Sequence, residues 1–271
     1  MGDWMSGDVV ANGIRIHYYR TGGQKPPLVL SHGFSDSGLC WTRVARALEA
    51  DYDVIMPDAR GHGRSEAPDD GYNAEERARD LAGLIEALGL GRAAIGGHSM
   101  GAATTLYCAA LRPDLVRCAI LEDGGFRSTS PTGGGFNAAR MAETQQRARE
   151  QRAMSREALI ARCRAQSPTW HEDELGPWAD AKIQLSEKAI GWPLGAEKMS
   201  WQEALAKVSC PILLITADID KGSSVTPETA ELARSILPSL QVVHLAGAGH
   251  NVRRERFDGY VAAVREFLAK N

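Results

Sequence analysis

The chain has 271 residues, is 44% hydrophobic and 24% charged, and carries a formal net charge of -3 at neutral pH. That is apolar material for one sizeable core, and the balanced charge excludes a basic nucleic-acid surface and an acidic tail. No apolar run is long enough to cross a membrane, MGDWMSGDVV lacks the basic and apolar stretches of a leader, and the cysteines at 40, 108, 118, 163 and 210 include no CxxC pair; a cytoplasmic monomer or homodimer is expected, with neither a disulfide framework nor a metal site.

In chain order, Asp8 to Tyr19 reads as two strands around Asn12-Gly13, a pair suited to a two-residue hairpin turn. Pro27 to Ser31 is a short apolar run, followed by a helix from about Leu39 to Ala50. Asp53 to Pro57 is a second run, with a glycine-rich loop and a helix over Ala74 to Leu88. Ala93 to Gly97 is a third, entering a helix that stops before Pro113, and Val116 to Leu121 is a fourth. Runs this uniformly apolar imply strands buried on both faces, and their alternation with helices implies a parallel sheet. From about 125 to 206 the rhythm breaks: the segment is rich in Arg, Gln, Glu and Ala, has glycines at 133–135, and holds Trp170, Trp178, Trp192 and Trp201. Aromatic anchors favour packed helices over a disordered linker. The rhythm returns with Pro211 to Thr216, a helix over Pro227 to Leu237, a strand over Gln241 to Leu245 and a closing helix to about Ala269.

Gly97-His98-Ser99-Met100-Gly101 lies between an apolar strand and a helix, where a G-x-S-x-G turn lifts a serine hydroxyl above the sheet edge. Ser99 is therefore the expected nucleophile, with the Met100 N–H, at a helix N-terminus, as one oxyanion donor. A second donor is expected from the loop after the first parallel strand, at the N–H of Phe34 in His32-Gly33-Phe34. His32 reads as a loop-holding side chain, and Trp41 as core or pocket lining. The base should follow the last strand, where Ala246-Gly247-Ala248-Gly249-His250 supplies His250. His17, His171 and His244 read as surface or core residues.

His32-Gly33-Phe34, Asp58-Ala59-Arg60-Gly61-His62-Gly63-Arg64-Ser65, Gly97 to Gly101 and Gly249-His250 occur in the order typical of the α/β-hydrolase superfamily, which the chain resembles over its whole core. The resemblance implies a mostly parallel sheet flanked by helices, with the core at 1–124 and 207–271 and a helical cap at 125–206. It also implies a triad acid after the strand that ends at Thr216, pointing to Asp220; the added length of Gly222-Ser223-Ser224 could shift the register to Asp218, and Asp123, after Leu121, is the third candidate. The Asp58 to Ser65 loop reads as structural.

Relatives that open epoxides or displace halide carry aspartate at the elbow, so Ser99 directs the reading to acyl transfer, most simply hydrolysis of a small-molecule carboxylic ester without a cofactor. Three alternatives stand beside it: carbon–carbon hydrolysis of ring-cleavage diketones, cofactor-free oxygenation of a heteroaromatic (favoured if Asp123 is the acid), and a non-catalytic small-molecule receptor. Arg127, Arg140, Arg147, Arg149, Arg152, Arg156, Arg162 and Arg164 make the cap basic. The plain reading is a solvated face paired with Glu143, Glu150 and Glu157. The sharper one is a single arginine gripping a substrate carboxylate, as in monoalkyl phthalates.

Overall fold

The computed structural model describes residues 4–126, 138–192 and 197–271. Arg127 and the glycines at 133–135 lie outside the described residues, as does the side chain of Arg140.

An antiparallel hairpin, β1 (Met5–Ala11) and β2 (Ile14–Arg20), turns at Asn12 and Gly13, both at positive φ (49° and 78°). It leads into β3 (Pro27–Ser31), a 3-10 turn at Gly38–Trp41, α1 (Thr42–Leu48) and β4 (Asp53–Pro57). Next come α2 (Ala74–Ala87), whose first turn is capped by the Asn73 side chain, β5 (Ala93–His98), α3 (Met100–Leu111) and β6 (Val116–Glu122). The helices α4 (Ala138–Arg152), α5 (Arg156–Gln166), α6 (Glu172–Gln184), α7 (Glu187–Gly191) and α8 (Trp201–Ala206) precede β7 (Ile212–Thr216). The chain closes with α9 (Pro227–Ile236), β8 (Gln241–His244), α10 (Val252–Glu255) and α11 (Phe257–Lys270). The eight strands form one sheet in the order β1-β2-β4-β3-β5-β6-β7-β8, parallel from β4 to β8.

The uniform apolar runs have a simple cause. Successive residues of each inner strand feed two different cores: Val29, Ile55, Ile95, Leu121 and Leu214 face α2, α3 and α8, whereas Leu30, Met56, Ala94, Ile120 and Leu213 face α1 and α11. With both faces covered, the middle positions of these strands are apolar, and the polar residues Asp53, His98 and Glu122 stand at strand ends. Trp41 is fully buried in the second core. Trp201 joins the first, edge-on to Phe126, so α8 packs with the sheet and its helices. Helices α5 and α6 have an apolar cluster of their own, with Leu159, Leu175 and Trp178 and with Trp170 against it. Trp192 and Phe34 meet Tyr72, Leu185 and Ile190 where the helical segment covers the sheet's carboxyl edge. No helix among the described residues is long and apolar enough to cross a membrane.

Candidate active site

Ser99 stands between β5 and α3 with φ 53° and ψ -110°, a conformation that a non-glycine residue holds only when its surroundings enforce it. Three glycines leave the space that this close packing of backbone requires. A Cβ on Gly97 would strike the Gly101 backbone, one on Gly101 would strike the Ser31 carbonyl, and one on Gly124 would lie 2.6 Å from the Ser99 Cα.

The register of the sheet explains Asp123. His98 of β5 pairs with Glu122 of β6, and Ser99 and Asp123 are the next residues on these adjacent strands. Asp123 also has positive φ (40°). Both remain tied to the ladder, Ser99 N–H to the Glu122 carbonyl at 3.0 Å and Asp123 N–H to the Ile215 carbonyl at 2.9 Å. Nδ1 of His250 donates to Oδ2 of Asp123 at 2.6 Å, and Asp123 is fully buried. The same carboxylate accepts from the Ser223 hydroxyl at 2.7 Å and from the backbone N–H groups of Ser224 (2.8 Å) and Val225 (3.0 Å). Burial would raise this carboxyl, but the bonds from His250, Ser223 and Ser224 overcome it and hold it below the ordinary aspartate value.

The carboxylate bonded to His250 is thus Asp123, not one from the loop after β7 to which the sequence points. Asp220 is exposed in the short turn Ile219–Lys221, away from any bond to His250. Asp218 accepts from the Gly247 N–H at 2.8 Å and meets the His244 Nε2 at 3.0 Å, so it braces the loop that carries His250 without touching that imidazole. The extra length at Gly222-Ser223-Ser224 bears on the acid in another way: it delivers the donors that ionise Asp123. Asp123 is the last of the three candidates, and its signal in sequence is the Gly124 that follows, which leaves room for the elbow.

The loop of Phe34 is held from several sides. The Ala59 N–H donates to Nε2 of His32 at 2.9 Å, so the ring's proton sits on Nδ1 and is donated to the Gly33 carbonyl at 2.8 Å. Burial keeps His32 neutral. Asp58 accepts from Gly38 N–H (2.7 Å) and Arg64 N–H (2.8 Å), and Arg60 pairs with Asp80 at 2.6 Å, so the Asp58 to Ser65 segment is wired into the fold. His17 pairs with Asp8, and His171 accepts from the Asp173 N–H.

Sequence reasoning missed a buried cluster beneath this site. Asp36, from the Phe34 loop, meets Lys182 of α6 at 3.1 Å, Arg253 at 3.2 Å and Arg254 at 3.1 Å. Arg253 also reaches Glu122 (3.3 Å), and Arg254 reaches Glu174 of α6 (3.1 Å). All six are nearly devoid of solvent exposure. Charges of both signs in equal number meet the requirement that buried ions be paired. Burial would raise the Asp36 carboxyl, yet Arg254, Lys182 and Arg253 hold it well below the usual range. The arginines of the helical segment behave differently: Arg149, Arg156 and Arg164 are exposed and pair with Glu187, Asp180 and Glu172, not with the acids expected.

Residues 28–263 match the family model described as the alpha/beta hydrolase family. An N-formylmaleamate deformylase of Pseudomonas putida is 30% identical over 270 residues, covering 97% of this chain and 96% of the relative. A 2-(acetamidomethylene)succinate hydrolase of Mesorhizobium japonicum is 28% identical, covering 92% and 90%. Among solved structures, an esterase from Rhodococcus superposes with a TM-score of 0.77 at 26% identity, covering 99% of each chain.

Proposed function

The chain belongs to the alpha/beta hydrolase family, and from that premise we propose that it is a serine hydrolase of small acyl compounds, cleaving a carboxylic ester or an amide through an acyl-enzyme. The observation that carries the reading is the 2.6 Å bond between His250 and Asp123 beside the strained elbow of Ser99. Nε2 of His250 takes the proton of the Ser99 hydroxyl as its oxygen attacks the acyl carbon. Asp123 holds Nδ1 protonated and offsets the charge of the imidazolium. The N–H groups of Met100 and Phe34 receive the oxyanion, His250 returns the proton to the leaving alcohol or amine, and water then repeats the sequence on the acyl-serine. Helices α4 to α7 act as the cap that limits substrate size. Two relatives matched over most of their length are named for N-acyl compounds bearing carboxylates, which brings amides in beside the esters that the elbow alone suggests.

A pair of His250 and Asp123 also suits cofactor-free oxygenation, a reaction with no need of an acyl-serine. One experiment separates the two. A fluorophosphonate should label Ser99, and Ser99→Ala should lower kcat on p-nitrophenyl acetate by a factor on the order of 10^6. The same preparations are offered N-formyl and N-acetyl derivatives of small dicarboxylic acids, phthalate half-esters and a quinolone. An unlabelled Ser99, with oxygen consumed on the quinolone, would overturn the hydrolase reading.

A further inference from the structure

Lys182 is a buried cation from the helical segment that reaches the loop of the second oxyanion donor. Its Nζ donates to the Ser35 carbonyl at 2.7 Å, to the Ser35 hydroxyl at 3.0 Å and to Asp36 Oδ1 at 3.1 Å. Ser35 has φ 61°, the left-handed region that a serine occupies at a cost. It follows directly on Phe34, and the Asp36 N–H closes the turn onto the Gly33 carbonyl at 3.1 Å. The direction of the Phe34 N–H thus depends on a strained turn, and the group that chelates that turn comes from α6, not from the core.

The other end of the cluster reaches the base. Asp36 is shared with Arg253 and Arg254, which lie within α10 just after the His250 loop. The Arg253 N–H is received by the Glu122 carboxylate at 2.9 Å, and Glu122 precedes Asp123. The Arg253 guanidinium lies over Trp41 at 4.2 Å and that of Arg254 over Trp170 at 4.4 Å, so aromatic faces fix both.

We infer that Lys182 is a positioning residue: by chelating Ser35 and Asp36 it sets the Phe34 donor, so that docking of α6 onto the core and completion of the oxyanion hole are one event. The inference rests on the serine-hydrolase reading, and fluorophosphonate labelling of wild-type Ser99 decides that reading first. The test is Lys182→Met, measured for kcat and KM on p-nitrophenyl acetate and for inhibition by phenylboronic acid, whose tetrahedral serine adduct uses the same donors. Loss of a whole donor costs about 10²–10³ in kcat, so a displaced one should cost roughly tenfold to a hundredfold. KM should stay within about twofold, and the boronate should weaken in step with kcat. Ser35→Gly adopts the turn without strain and should restore kcat severalfold when added to Lys182→Met. If Lys182→Met does not fold, Asp36→Asn/Lys182→Met removes one charge of each sign and keeps the buried cluster balanced; the same loss and the same rescue are expected. With Ser99 labelled, a folded variant that keeps wild-type kcat and boronate affinity while only melting earlier would overturn the inference and leave the hydrolase reading intact. An unlabelled Ser99 would remove both.

Discussion

The imidazole of His98 donates from Nε2 to the backbone carbonyl of His250 across 2.8 Å, and the two rings lie with centroids 4.7 Å apart. The variable position of the G-x-S-x-G turn is therefore a strut between the Ser99 elbow and the His250 loop. Burial, reinforced by Arg253 and His250, holds His98 well below the usual imidazole range, so it stays neutral and keeps its Nε2 proton for this bond.

Replacing His98 should separate that bond from packing. His98→Phe fills the space without a donor and takes from the half-buried His250 carbonyl its partner, which should cost about 0.5–1.5 kcal/mol of stability and about tenfold in kcat. His98→Gln, which retains a donor, should lie closer to wild type in kcat. Steady-state kinetics and urea denaturation of the two variants check this; a Phe variant as active as the Gln variant would mean that the donated bond does not contribute to activity.

Three asparagine variants test the assignment of the acid. Asp123→Asn should lower kcat by about 10^4, because asparagine can hold the imidazole in the wrong tautomer. Asp220→Asn, at an exposed turn, should remain within about twofold of wild type, as surface changes do. Asp218→Asn loosens the brace on Gly247 and should fall between them. Near-normal activity of Asp123→Asn would refute the pairing's catalytic role.

Gly124 tests how little space the elbow has. An alanine Cβ would stand 2.6 Å from both Cα and the carbonyl oxygen of Ser99, so the backbone must shift. Gly124→Ala should destabilise by about 1–3 kcal/mol and lower kcat in the folded protein. Gly191→Ala, whose Cβ would meet nothing within 4 Å, is the control and should not destabilise. Denaturant midpoints and kcat for the two variants decide it.

The acid limb of stability follows from Asp36 and Asp123, both held below the unfolded value of 3.8. Between that value and their folded values the unfolded chain binds more protons, so stability is present above 3.8 and is lost as pH falls through the folded values. Glu122 and Asp80, raised by burial, act in the opposite sense. Tm followed from neutral pH down to about pH 3 should fall at the acid end. Asp36→Asn should lower Tm at neutral pH and flatten that fall. A variant whose Tm parallels wild type at every pH would show that Asp36 does not contribute.

What could be read in advance was whatever repeats locally. Consecutive apolar residues marked each inner strand, and glycines two positions either side of Ser99 marked the elbow, because both are demands of neighbouring backbone. The partner of His250 was not local. Asp220 and Asp123 both follow strands, and the choice turns on which loop reaches the imidazole: Ser223 and Ser224 surround the carboxylate of Asp123 from a loop about a hundred residues away in sequence. Lys182 was hidden for a related reason. It sits in a stretch of mixed charges, where nothing distinguishes it from the exposed Lys188, and only folding gives one of them a buried carboxylate.

The register that sets Ser99 beside Asp123 also divides the site by origin. Two of its members leave neighbouring strands at the middle of the sheet, so their separation is ruled by hydrogen bonds that open only with the whole domain. His250 stands on the loop after the edge strand β8, tied back through its carbonyl to His98 and through Gly247 to Asp218. The imidazole thus reaches the pair from a different part of the chain, and the serine and the carboxylate are the frame against which that loop is set.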